Sequence, residues 1–250
     1  MTGAPPELSL IIPAYNEEAR LPATLRRIAE YVRASNRPTE VIVVDDGSRD
    51  PTAEVARSFV SEIPSLRVVS NGVNRGKGFS VRRGALEARG RIVLFSDADL
   101  SAPIEEADKL LAALAGAQAD IAIAIGSRAL DRSLIEVHES PFREFAGIIF
   151  NKIVRICLFL PFVDTQCGFK AFLREPCRIL FEQQRIERFG FDPELLFLAR
   201  RHGLRAVEIP VRWAHSPATR VRMLRDGVLM FLEVLQIRWN ALARRYPKHS

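Results

Sequence analysis

The sequence predicts an α/β fold: a mostly parallel sheet flanked by helices, with amphipathic helices towards the C-terminus. Three observations predict it. Short apolar, β-rich runs alternate with helix-period segments through the first half of the chain, the pattern of right-handed β-α-β crossovers. Two of these runs end in acids: Val41-Ile42-Val43-Val44 leads into Asp45-Asp46-Gly47-Ser48, and Ile92-Val93-Leu94-Phe95 leads through Ser96 into Asp97-Ala98-Asp99. In open α/β sheets the carboxyl ends of the strands form the binding crevice. Finally, 250 residues that are 48% hydrophobic and 26% charged suit one large folded domain, or one with a C-terminal extension.

The first strand is expected over residues 8–13, followed by a helix over 17–34. A second strand over 40–45 and a helix over 52–61 repeat the unit. Leu66–Ser70 reads as the third strand, before a glycine-rich turn and a helix over 79–88. The fourth strand, 91–96, ends at the acid triplet. Pro103 followed by Glu105 and Glu106 suits the first turn of a helix over 104–115, because proline needs no N–H there and acids favour the positive helix end. Ile121–Ser127 is the fifth strand. Beyond it the character changes. Residues 145–163 are strongly apolar but broken by Asn151, Lys152, Arg155 and Pro161. Residues 228–239 are apolar around Glu233, with bases on both flanks. A spanning helix needs about 20 predominantly apolar residues. Both stretches are therefore expected to lie in the core or along a membrane surface, without spanning it.

Net charge is +6, and it is concentrated. Residues 201–250 hold ten Lys/Arg against three acids, a net of +7 in one fifth of the chain. Such a region attracts anionic partners: nucleic acid, lipid head groups or a phosphorylated substrate. No helix-turn-helix, zinc-finger or RNP-type motif accompanies it, so no nucleic-acid partner is expected. Cys157, Cys167 and Cys177 form no C-x-x-C, which points to free thiols in a reducing cytoplasm. No signal peptide is expected, since the apolar run from Leu8 to Ile12 is too short and no basic segment precedes it. No G-x-G-x-x-G follows the first strand, and Gly72-Val73-Asn74-Arg75-Gly76-Lys77-Gly78 is one residue short of a P-loop and lacks its Ser/Thr. A dehydrogenase and a P-loop NTPase are both disfavoured.

Two carboxylates at i and i+2, as in Asp97 and Asp99, repel unless a cation lies between them. Oxygen ligands of this kind suit Mg²⁺ or Mn²⁺, which keep waters and bridge to phosphates.

In order along the chain, Pro13-Ala14-Tyr15-Asn16-Glu17, Asp45-Asp46-Gly47-Ser48, Asn74-Arg75-Gly76-Lys77-Gly78 and Asp97-Ala98-Asp99 resemble the nucleotide loops, glycine turn and metal triplet of the family 2 nucleotide-sugar glycosyltransferases. Gly126-Ser127-Arg128, Asp164-Thr165-Gln166-Cys167-Gly168-Phe169-Lys170 and Phe191-Asp192-Pro193-Glu194-Leu195 resemble the dolichyl- or polyprenyl-phosphate glucosyltransferases within it. The resemblance implies a GT-A type fold over residues 1–220, with a nucleotide-sugar half to about 128 and an acceptor half beyond. Residues 221–250 would form a basic amphipathic C-terminal helix.

The implied activity is inverting transfer of glucose from UDP-glucose to a polyprenyl phosphate, on the cytoplasmic face of a membrane, by a peripheral enzyme bound to anionic lipid. Pro13, Tyr15, Glu17, Asp45, Asp46, Gly76, Lys77, Asp97 and Ala98 would hold the donor. Tyr15 would sit near the base, Glu17 would accept from ribose hydroxyls, and Asp45 or Asp46 would accept the uracil N–H. Gly76 lets backbone approach the ligand, and Lys77 neutralises phosphate. Asp97 and Asp99 would serve the Mg²⁺ or Mn²⁺, with Asp97 nearer the sugar or a metal-bound water.

Asp97, Asp99 and Asp164 are the catalytic candidates. Phosphate monoesters have a second pKa of about 6, so a phosphate acceptor needs no general base. Asp164 then either orients the sugar or acts as base. Arg128, Arg143 and Lys170 are expected to meet the acceptor phosphate and the diphosphate.

The chain departs from the pattern in three places. Ser101 stands where mannosyl-transferring relatives often have a metal-holding Gln, and neither an N-terminal anchor nor C-terminal spans are expected. Gln236-Ile237-Arg238-Trp239 is similar to the Q-x-x-R-W motif of processive synthases but is one residue short. The alternatives are a GDP-mannose-dependent polyprenyl-phosphate mannosyltransferase, a glycosyltransferase with a soluble or protein acceptor, and a non-catalytic nucleotide-sugar-binding membrane adaptor.

Overall fold

The computed structural model describes residues 5–116, 120–138, 140–215 and 223–247. Its first half runs β1 (Leu8–Ala14), α1 (Leu21–Ser35), β2 (Thr39–Asp45), α2 (Thr52–Ser58), β3 (Leu66–Ser70), α3 (Lys77–Glu87), β4 (Ile92–Ser96), α4 (Ala107–Ala115) and β5 (Ile121–Ser127). The second half adds β6 (Ile135–Val137), α5 (Pro141–Leu158), β7 (Phe169–Leu173), α6 (Arg174–Gln183), α7 (Phe191–Arg201), β8 (Arg205–Pro210), β9 (Trp213–Ala214) and α8 (Met223–Leu242).

The main sheet has the order β3-β2-β1-β4-β7-β5-β8, with β6 and β9 paired separately. Every pairing in the main sheet is parallel except those of β7, which runs antiparallel to both β4 and β5. Side chains alternate between faces with period two. Leu10, Ile12, Val41 and Val43 pack towards the layer containing α1, α2 and α4, whereas Ile11, Ile42, Val93 and Phe95 pack against α3 and α5 to α8. Burial on both faces is what makes the strands read as continuous apolar runs.

Several element ends differ from the sequence expectation. α1 begins at Leu21 instead of residue 17, because Asn16 adopts φ +52° and the chain turns through Glu17 before Pro22 opens the helix. α2 gives way to a 3-10 turn over Phe59–Ser61, and another over Ile104–Glu106 leads into α4. α3 starts two residues earlier than expected, at Lys77. β7, α6, α7, β8 and β9 are not among the elements that periodicity predicts, whereas α8 falls within the C-terminal segment expected to be an amphipathic helix.

α5 and α8 touch and bury Val154, Leu158, Val234 and Ile237 in the core. Their outer sides remain apolar. Phe142, Phe145, Ile149, Ile153 and Ile156 form one exposed stripe at helical spacing, and Val228, Leu232, Leu235, Trp239 and Leu242 form a second. Among the described residues no helix is long and apolar enough to cross a membrane. Arg220, Arg222 and Lys248, three bases of the C-terminal fifth, lie outside the described residues.

Candidate active site

β1, β2, β3 and β4 all end at one edge of the sheet, so the loops that leave them share a crevice. The first two loops are stitched together. The Asn16 amide donates to Ser48 Oγ at 2.8 Å, Arg49 N to Asn16 Oδ1 at 2.7 Å, and Glu17 N to Thr52 Oγ1 at 2.7 Å. Tyr15 and Pro13 stand half-buried at this edge. Glu17 is not open to a ligand alone: Arg20 grips both its oxygens, through Nε and Nη2, each at 2.7 Å.

The two acids that end β2 have different work. Asp46 accepts from Asn71 Nδ2 (2.8 Å), Asn74 Nδ2 (2.9 Å), Arg75 N (2.9 Å) and Gly76 N (2.8 Å). Its carboxylate therefore shapes the glycine turn. Among the described residues the Asp45 carboxylate holds only longer bonds, from Ser48 N at 3.2 Å and Ser70 Oγ at 3.3 Å. The turn itself requires glycine. Gly76 has φ +113°, and a Cβ there would lie 2.5 Å from Glu187 O.

The turn delivers Lys77 to Asp97. Their side chains form an ion pair, with Asp192 and Asp99 acting on the same lysine. Burial alone would depress the ammonium, but these three carboxylates outweigh it and hold Lys77 above its usual value. Burial raises the Asp97 carboxyl despite Lys77, and Asp99 and Asp192 add to the rise. Gly168 faces Asp97 so closely that a Cβ would meet Oδ2 at 2.2 Å. Ala98 is buried, and its carbonyl accepts from Thr24 Oγ1, which fixes the triplet to α1. Asp99 Oδ1 accepts from Ser101 N at 3.0 Å, and Arg20 also acts on both Asp97 and Asp99.

Among the described residues no cluster of three or more metal-ligating side chains occurs. Two all-oxygen ligands on one turn nevertheless fit Mg²⁺ or Mn²⁺ of the kind that completes its shell with water and substrate phosphates.

Asp164 and Arg128 are locked together. Arg128 donates to Asp164 from its backbone N (3.1 Å), Nε (2.7 Å) and Nη2 (2.9 Å). Burial alone would raise the Asp164 carboxyl, but the Arg128 guanidinium overrides it and holds the group at about 2. A carboxylate so acidic is a poor general base near neutrality. The guanidinium also lies 5.4 Å from the centre of the Trp213 ring.

Lys170 does not reach the crevice as expected of an acceptor-phosphate ligand. It sits on the interior strand β7, fully buried, donating to Cys167 O at 2.6 Å and Asp192 Oδ1 at 2.5 Å. The inward alternation of β7 turns this side chain towards α7, so its charge balances Asp192. Arg143 lies half-buried in the first turn of α5, and among the described residues it has no ion pair with a carboxylate. No described contact joins it to the donor loops.

Arg20, Gly168 and Asp192 are neighbours of the site that sequence reasoning did not single out. Asp192 and Gly168 stand inside motifs noted for other residues. Arg20 carries no signal of its own beyond its i+3 spacing from Glu17.

Comparison with known proteins shows the family and the fold. The family model described as glycosyl transferase family 2 matches residues 9–181. A dolichyl-phosphate beta-glucosyltransferase of Drosophila melanogaster is 39% identical over 252 residues, covering 94% of this chain and 77% of that protein. One from Homo sapiens is 36% identical over 247 residues, covering 94% and 76%. In fold, the chain is similar to glucosyl-3-phosphoglycerate synthase from Mycobacterium tuberculosis, solved with Mn²⁺, UDP-glucose and phosphoglyceric acid. That similarity has a TM-score of 0.65 at 24% identity, covering 98% of this chain and 81% of the other.

Proposed function

This chain belongs to glycosyl transferase family 2, and from that premise we propose that it moves glucose from UDP-glucose to a polyprenyl phosphate of the dolichyl type at a membrane surface. The observation that carries this reading is its 31–39% identity, across most of its length, to dolichyl-phosphate beta-glucosyltransferases from several eukaryotes.

The site chemistry supports it. Asp45 and Tyr15 stand at the edge where a base would lie, and Gly76 and Lys77 line the path of a diphosphate. Asp97 and Asp99 would hold Mg²⁺ or Mn²⁺, which when bound would stabilise charge on the leaving nucleoside diphosphate. Lys77 balances Asp97 until phosphate arrives and can then share its charge with the incoming oxygens. A phosphate acceptor arrives largely ionised at neutral pH, so the absence of an available base at Asp164 is no obstacle. Asp164 instead orients Arg128 by gripping its Nε and Nη2, and the other edge of the guanidinium is suited to phosphate oxygens.

The apolar stripes of α5 and α8 fit a lipid surface. Lys152 and Arg155 on α5, and Arg225, Arg238, Arg244 and Arg245 on or beside α8, would face anionic head groups. Peripheral binding to the cytoplasmic leaflet follows from this reading, and three unpaired cysteines are compatible with it.

Separate substitutions test the assignment of donor and acceptor sides. Arg143→Ala is expected to raise the KM for polyprenyl phosphate with UDP-glucose affinity nearly unchanged, and lysine at 143 to rescue only part of the loss. Tyr15→Ala is expected to weaken the donor and spare the acceptor. Equal weakening of UDP binding by both changes would refute the acceptor role of Arg143.

A further inference from the structure

The N-terminus of α3, which carries Lys77, has no side-chain cap. Its orphan donors are met by backbone instead: Gly78 N donates to Arg188 O at 3.2 Å and Phe79 N to Glu187 O at 2.9 Å. Gln184 Nε2 closes the same contact by donating to Gly78 O at 2.8 Å. The packing is too tight for any side chain, since a Cβ on Gly78 would lie 2.6 Å from Phe191 Cβ and 2.8 Å from Ile186 O. The loop over residues 184–190, between α6 and α7, thus acts as a mould for the lysine turn.

The far side of this loop is held by the C-terminal segment. Glu233, on α8, accepts from Gly190 N at 2.8 Å, and a Cβ on Gly190 would lie 2.8 Å from Glu233 Cβ. Glu194 accepts from Arg185 N at 3.0 Å and Ile186 N at 2.8 Å, and in turn accepts from Tyr246 Oη at 2.5 Å. Arg185 Nε donates to Arg245 O at 3.1 Å. A continuous path therefore runs from α8 through loop 184–190 to Lys77 and Asp97.

We infer that Glu233 is a positioning residue for donor binding: by fixing Gly190, it holds the loop that sets where Lys77 meets the donor's diphosphate. The inference rests on the reading of Lys77 as a donor ligand. A small displacement of such a group is costly, because recognition of a diphosphate by one ammonium depends steeply on distance. Glu233 also sits on the helix whose opposite side bears the exposed apolar stripe, so the same element faces the proposed membrane and the donor loop.

The test is calorimetry of the full chain with UDP-glucose and Mn²⁺, with thermal midpoints recorded for each variant. Glu233→Ala is expected to weaken binding about tenfold, on the scale of one hydrogen bond to a charged acceptor. Glu233→Gln keeps an acceptor oxygen and should restore most of the affinity. Tyr246→Phe, which loosens the other grip, should weaken binding in the same direction. In a Lys77→Ala background, Glu233→Ala should have no further effect on affinity, which a general loss of stability would not reproduce. Unchanged affinity in Glu233→Ala, or an equal loss with and without Lys77, overturns the inference while leaving the donor site intact. Failure of the wild-type chain to bind UDP-glucose overturns the donor assignment itself, and this inference with it.

Discussion

At the scale of single residues, the site is built from carboxylates that have been given unequal environments. Asp164 is buried against Arg128, whereas Asp97 and Asp99 share an edge with Lys77 and Arg20. Because the folded value of Asp164, about 2, lies below the ordinary value of about 3.9, its stabilisation is present above pH ~4 and is lost as the pH falls through about 2. Asp164→Asn is expected to cost about 2–3 kcal/mol at pH 7, the low end for a broken buried pair because a third of the Arg128 side chain meets water. The cost should shrink towards pH 2, as urea titrations across that range will report. Undiminished cost at pH 2 would mean that the aspartate matters for its shape and not its charge. Asp99→Ala should instead leave stability within about 0.5 kcal/mol, since the side chain is half-exposed, but reduce turnover by about two orders of magnitude or more. Excess EDTA should mimic it. Full activity in that variant or in EDTA would exclude a metal-dependent reaction.

At the scale of elements, what could be read in advance was whatever lay contiguous in the chain. β1, β2, β4 and β5 announce themselves because burial on both faces makes them apolar runs, and the acids at the ends of β2 and β4 mark the crevice. Contacts that span the fold left no such trace. Asp46 and Asp45 are indistinguishable neighbours until the glycine turn, about thirty residues on, folds back onto one of them. β7 was hidden because its strand carries Lys170, a charge that only the facing Asp192 makes tolerable in the core. The same fact removed Lys170 from the acceptor side. The exposed stripes of α5 and α8 were legible as apolar stretches, but only the packing distinguishes their core residues from their outer ones.

Those stripes lead to a specific expectation. The chain should sediment with anionic vesicles at low salt and be partly released at high salt, since each basic residue near the surface contributes about 1 kcal/mol that salt screens. A Leu235→Glu, Trp239→Glu double variant should abolish binding without unfolding the protein, because both side chains are exposed. Vesicle binding that survives in this variant would move the contact away from α8.

At the scale of the whole molecule, the sheet gathers the proposed nucleotide-sugar edge on one side while α5 and α8 present an apolar surface on another. A soluble acceptor would have no use for the second feature, and a passive sensor would have no use for the full set of acids at the first. Family membership and fold are established by comparison, and the resemblance to the glucosyl branch agrees with the relatives it matches. Donor and acceptor together define the reaction, so they are best tested together. The full chain should be incubated with labelled UDP-glucose or GDP-mannose, polyprenyl phosphate and Mn²⁺, and the product partitioned into organic solvent. The expected result is labelled lipid from UDP-glucose alone, dependent on polyprenyl phosphate and abolished by EDTA. Labelled lipid from GDP-mannose and not from UDP-glucose, or transfer of glucose only into water-soluble product, would contradict it.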